Sequence, residues 1–191
     1  MATASAELVK FMKTGEESRR ISGIDLPDIP LWAIWAIQQY AKMVSVEEAR
    51  EKYLKLVADI VDYIIDNGHP NLRIEENGLV TSIGNSSPIS WMNSQLHGHP
   101  VIPRTGYLVE FNALWYNALM FAAMLAEGNE AMAKQRERWL EYAELMKHSF
   151  VDTFLNDYGY LYDYVNGTYA DPAVRPNMAV AIGLDYSPLD R

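Results

Sequence analysis

The chain has 191 residues, of which 49% are hydrophobic and 12% aromatic, a composition typical of a globular protein rather than a disordered one. Its formal net charge is −9 and no cluster of lysine and arginine stands out, which argues against a nucleic-acid partner. The absence of cysteine excludes disulfides and cysteine-based metal sites. No apolar run approaches the roughly 20 residues of a membrane span, and the N-terminus lacks a signal-like apolar segment. We therefore expect one cytoplasmic domain over residues 1–191, without a membrane partner.

Helical periodicity dominates the chain. Ser45 and Glu48 have the spacing of a capping box, so a helix is expected to begin at Ser45. Pro30 suits a first helical turn, and Asp28 just before it is a candidate cap. Six helices are predicted, over residues 5–14, 30–43, 45–68, 109–127, 130–155 and 176–184.

Two kinds of helix alternate along the chain. The helices over 30–43, 109–127 and 176–184 are apolar on most sides, whereas those over 45–68 and 130–155 carry a charged face. This alternation favours two layers over a simple bundle, with apolar helices inside and amphipathic helices outside. We predict an all-α fold, a partial α/α toroid of helical hairpins, and expect the chain to be an N-terminal or middle portion of such a domain.

The two-layer arrangement has a consequence for the connecting segments. The segments that precede the inner helices, Ile21–Ile29, Gly68–Leu108 and Asn156–Arg175, should all emerge at one end of the helices. These segments are rich in Trp, Asn, Asp, Arg and His residues, which suit a binding site. Loops grouped at one end of a rigid scaffold commonly carry function.

The segment Trp91–Leu119 carries the strongest functional pattern. It combines aromatic faces, which suit the apolar side of a pyranose ring, with amide, carboxylate and guanidinium groups that suit its hydroxyls. The candidate site residues in this segment are Trp91, Asn93, Arg104, Glu110, Asn112 and Trp115.

The same segment resembles the amylo-α-1,6-glucosidase domain of glycogen debranching enzymes, which carries a pattern like TWMD…TPR…G-x-x-VE-x-NALWYNAL. Asp28-Ile29-Pro30-Leu31-Trp32, Asp163-Tyr164-Val165 and Arg175-Pro176-Asn177 are similar to further family segments. The resemblance implies an α/α domain that hydrolyses the α-1,6-linked glucose at a branch of glycogen or a limit dextrin. It implies release of free glucose with inversion, and no cofactor.

Asn93 departs from the family pattern. The family has an Asp at this position, which resembles a general acid, and a neutral amide cannot donate a labile proton in that way. Without the resemblance, Asn93 would be interpreted as a loop or turn residue. With it, either Asn93 binds sugar while another carboxylate protonates the leaving oxygen, or activity is lost.

Glu110 is the second candidate catalytic residue. It is expected in the first turn of a helix, where the helix dipole favours negative charge and would lower its pKa. That favours an ionised role, as a base or as an acceptor for sugar hydroxyls, over a role as an acid. A purely structural role beside the helix dipole is the alternative.

Five further residues are candidate sugar ligands. Asp28 and Trp32 are spaced i,i+4 and can share one helix face, although a cap over a core Trp explains them equally. Asp171 and Arg175 can grip hydroxyls or form a structural ion pair, and Asn177 follows in the same motif. His97 and His99 lack a third ligand at useful spacing, so no metal site is predicted.

Other functions stay open at this point. A trehalase-like enzyme of the same six-hairpin glycosidase clan shares a similar V-D/E-x-N-A-L motif. A non-catalytic α-glucan-binding protein would suit Asn93. Because too few helices are present to close a ring, we also expect apolar surface at an open edge, which would favour self-association.

Overall fold

The computed structural model describes residues 26–83 and 89–189, so the helix expected over 5–14 lies outside the described residues. The described ranges contain five α-helices: α1 (Ile29–Met43), α2 (Val46–Ile65), α3 (Val109–Leu125), α4 (Ala133–Phe154) and α5 (Asn177–Gly183). A short 3₁₀ turn, Glu130–Met132, precedes α4. The mostly helical fold is confirmed, and each helix lies within three residues of its predicted bounds.

Helix α3 is the centre of the fold. Fifteen of its 17 residues are buried, because its sequence is apolar on nearly every side. It contacts each of the other four helices, with α1 and α5 among its neighbours. This matches the predicted inner layer, while closure into a ring stays a prediction. None of the described helices is long and apolar enough to cross a membrane.

The amphipathic helices α2 and α4 pack on α3 and are also joined to each other. Asp62 of α2 accepts hydrogen bonds from Trp139 Nε1 and Gln135 Nε2 of α4, each at 2.8 Å. Arg138 Nη2 lies 2.7 Å from Asp66 Oδ1. The two charged helices thus form the outer layer that the alternation predicted.

Of the two predicted helix caps, the structure contains one and lacks the other. Ser45 Oγ accepts a hydrogen bond from Glu48 N at 3.1 Å, as the capping box predicts. The Glu48 carboxylate instead binds Tyr40 and Lys52, so the observed box is one-sided. The prediction that Asp28 caps α1 is wrong: its side chain makes no cap hydrogen bond.

The structure adds seven short strands in the described ranges that the sequence analysis did not predict. All pair antiparallel, as β1–β2, β3–β4 and the three-stranded sheet β5–β6–β7. Their bounds are β1 (Leu72–Ile74), β2 (Val80–Ser82), β3 (Gln95–Leu96), β4 (His99–Pro100), β5 (Tyr107–Leu108), β6 (Tyr164–Asn166) and β7 (Tyr169–Ala170).

These strands hold the connecting segments against the start of α3. Ser82 and Gly106 exchange two backbone hydrogen bonds, and β5 pairs with β6 through Tyr107 and Val165. Gly106 has φ +87°, and a Cβ there would lie 2.5 Å from the Val165 carbonyl oxygen. Glycine is therefore required where the long connection approaches β6.

Two polar side chains of α3 fasten the β1–β2 hairpin to the core. Asn112 is fully buried; it accepts from Val80 N at 2.8 Å and donates to the carbonyl oxygens of Val80 and Leu108 at 3.0 Å. Trp115, also fully buried, donates its indole N–H to Gly78 O at 3.3 Å. Both residues are used in holding the fold.

Replacing Asn112 with Ala should destabilise the fold. The Val80 N–H and two backbone carbonyls would lose their side-chain partner in the interior, which costs about 3 kcal/mol in the free energy of unfolding. Urea unfolding followed by circular dichroism measures the loss. The control is Asn166→Ala, an exposed Asn of β6, and an equal loss in both variants would contradict the assignment.

Candidate functional site

Side chains at the N-terminal ends of α1, α3 and α5 form one connected polar cluster. Asp28 precedes α1, Glu110 is the second residue of α3, and Asn177 opens α5. Both α1 and α5 contact α3, and the connecting segments bring further polar groups to the starts of these helices. We name this set the end cluster: Asp28, Trp91, Arg104, Glu110, Asp163, Asp171, Arg175 and Asn177.

Arg104 and Glu110 form a buried bidentate ion pair. Arg104 Nη1 donates to Glu110 Oε1 at 2.5 Å and Nη2 donates to Oε2 at 2.7 Å. The Glu110 side chain is fully buried and that of Arg104 is 2% exposed. Both carboxylate oxygens are engaged by the guanidinium, so the geometry offers Glu110 no direct contact with solvent.

Asp163 joins α3 to α5. Its Oδ2 lies 2.8 Å from Arg104 Nε, close enough for an ion pair although not aligned as a hydrogen bond. The same oxygen accepts from Arg175 Nη1 at 2.7 Å, and Oδ1 accepts from Asn177 Nδ2 at 2.6 Å. Its backbone carbonyl accepts from Arg104 Nη2 and from Val109 N, which places this fully buried carboxylate at the centre of the cluster.

The Asp171–Arg175 pair forms a partly exposed part of the cluster. Arg175 Nη1 lies 2.8 Å from Asp171 Oδ2, and the two side chains are 19% and 11% exposed. Ala173 N donates to Asp171 Oδ1 at 2.9 Å, which fixes the carboxylate.

Trp91 links the long connection to both α1 and α5. Its backbone N–H donates to Asp28 Oδ2 at 2.9 Å, and its indole Nε1 donates to Asn177 Oδ1 at 2.9 Å. Asn177 Nδ2 also contacts Met92 Sδ at 3.2 Å. The indole is half-buried, so part of its surface faces solvent beside buried hydrogen-bonding groups.

Asn93 and Trp32 lie next to this cluster. Asn93 follows Trp91 by two residues and is half-buried, and no described residue hydrogen-bonds to its side chain. Trp32 is half-buried one turn beyond Asp28 and contacts Trp35 edge-to-face, with ring centroids 5.7 Å apart. The structure thus places the half-buried Asn93 amide and the Trp32 indole near the partly exposed indole of Trp91.

Two of the candidate residues are not brought into the cluster. Asn112 and Trp115 are fully buried, and their polar groups are bonded to the backbone of the β1–β2 hairpin. Sequence analysis in turn missed Asp163 as a site residue, although it stands in a segment that resembles a family motif. The segments of Asp163 and of Arg175 and Asn177 both resemble family motifs. This shared resemblance was the signal that could have identified Asp163.

The electrostatics of Glu110 differ from the expectation. Complete burial raises the pKa of the Glu110 carboxyl, and the hydrogen bonds from Arg104 oppose this without reversing it. The prediction that the helix dipole would lower this pKa is therefore wrong. Removal of the carboxylate from water outweighs the interactions that lower its pKa.

The pKa values of Asp28 and Asp171 shift in opposite directions. Burial raises the pKa of Asp28 from its ordinary 3.8 to about 6, against lowering hydrogen bonds from Trp91 and Trp32. Partial burial of Asp171 also acts to raise its pKa, but the Ala173 N–H and the Arg175 guanidinium outweigh it and the pKa is lowered. Asp28 has no guanidinium partner, and Asp171 has one.

His97 and His99 lie on the exposed β3–β4 hairpin, away from any acidic cluster that the structure describes. Within the described ranges, no group of three His, Asp or Glu side chains is arranged to hold a metal ion.

Asp28 should make stability depend on pH. Because folding raises its pKa from 3.8 to about 6, the folded state keeps a proton that the unfolded state has lost, and the stabilisation disappears as pH rises through about 6. The free energy of unfolding should fall by up to about 3 kcal/mol over this range. Asp28→Asn should remove this pH dependence. The melting temperature of the variant, relative to that of the unmodified chain, should therefore rise between pH 4.5 and pH 7.5.

The control for this measurement is Asp59→Asn, whose exposed carboxylate pairs with Lys55 on the surface of α2. Its melting curve should run parallel to that of the unmodified chain across the same pH range. A parallel curve for Asp28→Asn as well would contradict the assignment.

The comparisons with known proteins identify a family for this chain. A family model described as amylo-alpha-1,6-glucosidase matches residues 12–191. No curated protein and no solved structure matches the chain significantly. The matched range includes every residue of the end cluster together with Asn93, and the chain belongs to the amylo-alpha-1,6-glucosidase family.

Proposed function

We propose that the chain binds the α-1,6-linked glucose at a branch point of an α-glucan, as part of a glycogen-debranching glucosidase. The glucose would lie against the solvent side of the end cluster, between the indoles of Trp91 and Trp32. Asn93 and Arg175 are the proposed hydroxyl ligands, and the buried Asp28 holds Trp91 in place through its backbone N–H. A protein of this type would hydrolyse the branch linkage and release free glucose.

One observation carries the proposal: partly exposed indoles lie beside a rigid set of buried hydrogen-bonding groups. Trp91 is fixed at its backbone by Asp28 and at its indole by Asn177. Sugar sites need such a combination, with an apolar face for the ring and fixed polar groups for the hydroxyls. Family membership directs the choice of ligand to an α-glucan.

The chemistry of hydrolysis places a limit on the role of each residue. Inverting hydrolysis needs one group to protonate the leaving oxygen and a second carboxylate to activate water. Glu110 is buried and is bound by both terminal nitrogens of Arg104. We therefore assign it the role of positioning Arg104 and Asp163. Asn93 stands where the resemblance implies an acid, so hydrolysis would need a proton from another carboxyl.

A second candidate function follows from Asn93. An amide at this position can accept and donate hydrogen bonds to a sugar but holds no labile proton. The Asn93 side chain is also partly exposed, which suits a contact with a ligand. The chain would then be a glucan-binding protein that has kept the site and lost the reaction.

Binding and hydrolysis can be separated on one substrate. We expect the 191-residue chain to be retarded in a native gel that contains phosphorylase limit dextrin, and to release no glucose above the blank. Asn93→Asp should leave the retardation intact. Glucose release by the unmodified chain would contradict the prediction and show that another carboxyl supplies the proton. Release by Asn93→Asp alone would support the glucan-binding candidate.

Trp91→Ala should weaken limit-dextrin binding by roughly tenfold, because it removes a stacking surface worth about 1 kcal/mol and the hydrogen bond that fixes it to Asn177. Trp91→Phe keeps an aromatic face and should lose less. Gel retardation gives the dissociation constants, and circular dichroism checks the fold. Equal affinity of all three proteins would remove Trp91 from the site.

A further inference from the structure

The β6–β7 hairpin carries an aromatic pair that the proposed glucose site does not use. The rings of Tyr164 and Tyr169 lie 5.7 Å apart between centroids, at an angle of 47°. Tyr169 is 53% exposed, whereas Tyr164 is half-buried beneath the surface. A supported ring with a free face is the form in which aromatic side chains bind sugar rings.

The hairpin is fixed directly to the end cluster. Asp163 and Asp171 border its two strands: Asp163 N donates to Asp171 O, and Asp171 N donates to Tyr164 O, each at 2.9 Å. The aromatic pair therefore lies beside the partly exposed Asp171–Arg175 pair.

Arg175 has hydrogen-bond donors left for a ligand. Its Nη1 makes both carboxylate contacts, to Asp163 at 2.7 Å and to Asp171 at 2.8 Å. Among the described residues, none accepts from its Nε or Nη2, and the side chain is 19% exposed. A guanidinium has five donors, so those on Nε and Nη2 can serve hydroxyl groups.

We propose that Tyr169, supported by Tyr164 and flanked by Arg175, forms a second sugar subsite that binds a glucosyl unit of the α-glucan chain beyond the terminal glucose. This inference rests on the proposed function, because it takes the end cluster as the site of the terminal glucose. The subsite would make the protein prefer a polymer over a single ring.

The local charge favours a neutral sugar over an anion. Asp171 and Asp163 balance the Arg175 guanidinium at 2.8 and 2.7 Å, so an added phosphate would meet two carboxylates. Hydroxyl groups carry no such penalty, and the pyranose face matches the tyrosine ring.

The test compares two probes on the full 191-residue chain: phosphorylase limit dextrin by gel retardation, and methyl α-glucoside by tryptophan fluorescence. Tyr169→Ala should weaken limit-dextrin binding by roughly 2- to 10-fold, the range expected for one aromatic contact, and leave the single-ring affinity unchanged. Tyr169→Phe keeps the ring and should bind both probes like the unmodified chain.

The matched control is Tyr53→Ala. Tyr53 packs on Tyr40 with ring centroids 5.6 Å apart, and Tyr40 lies 12 residues beyond Asp28 along α1, about 18 Å from the end cluster. A loss for Tyr169→Ala no larger than that for Tyr53→Ala, or an equal loss for both probes, overturns the subsite. If the unmodified chain binds neither probe, the proposed function is overturned instead.

Discussion

The fold and the site both depend on pairing the charges that are buried at one end of the inner helices. The Arg104 guanidinium meets Glu110 of α3 and Asp163 of the segment that leads to α5, and all three side chains are almost fully removed from water. Removal of one partner from a buried pair costs about 3–5 kcal/mol, because the other charge is left uncompensated. The position of α5 against α3, and with it the position of Arg175 and Asn177, follows from satisfying these charges together.

Much of the architecture is predictable because its physical causes are local. The apolar run of α3 and the hydroxyl of Ser45 act within a few residues, so helix positions and one cap follow from sequence. The strands were missed because each spans only two or three residues, too short to show an alternating pattern, and because β5 pairs with a strand far away in the sequence. Their turns did carry a signal, since His97-Gly98 of the β3–β4 hairpin has positive φ at both positions, as a tight hairpin requires.

The candidate site was predictable in its location and less so in its chemistry. Connectivity alone placed Asp28, Trp91 and Arg175 at one end, because each precedes or begins an apolar helix. Burial was not predictable from position in a helix: the dipole pointed to an ionised Glu110, and desolvation reverses the shift of its pKa. Asn112 likewise carried the pattern of a sugar ligand, but the nearby β-hairpin uses its amide.

The amide of Asn177 determines how the site meets a ligand. Its oxygen accepts a hydrogen bond from the Trp91 indole and its nitrogen donates to Asp163, so a flip of the amide would lose both bonds. A ligand would therefore meet an indole that is already oriented, with little side-chain entropy left to lose on binding. Selectivity at such a surface would come from the shape of the sugar rather than from closure around it, so a poorly fitting ring would be rejected at encounter instead of being accommodated.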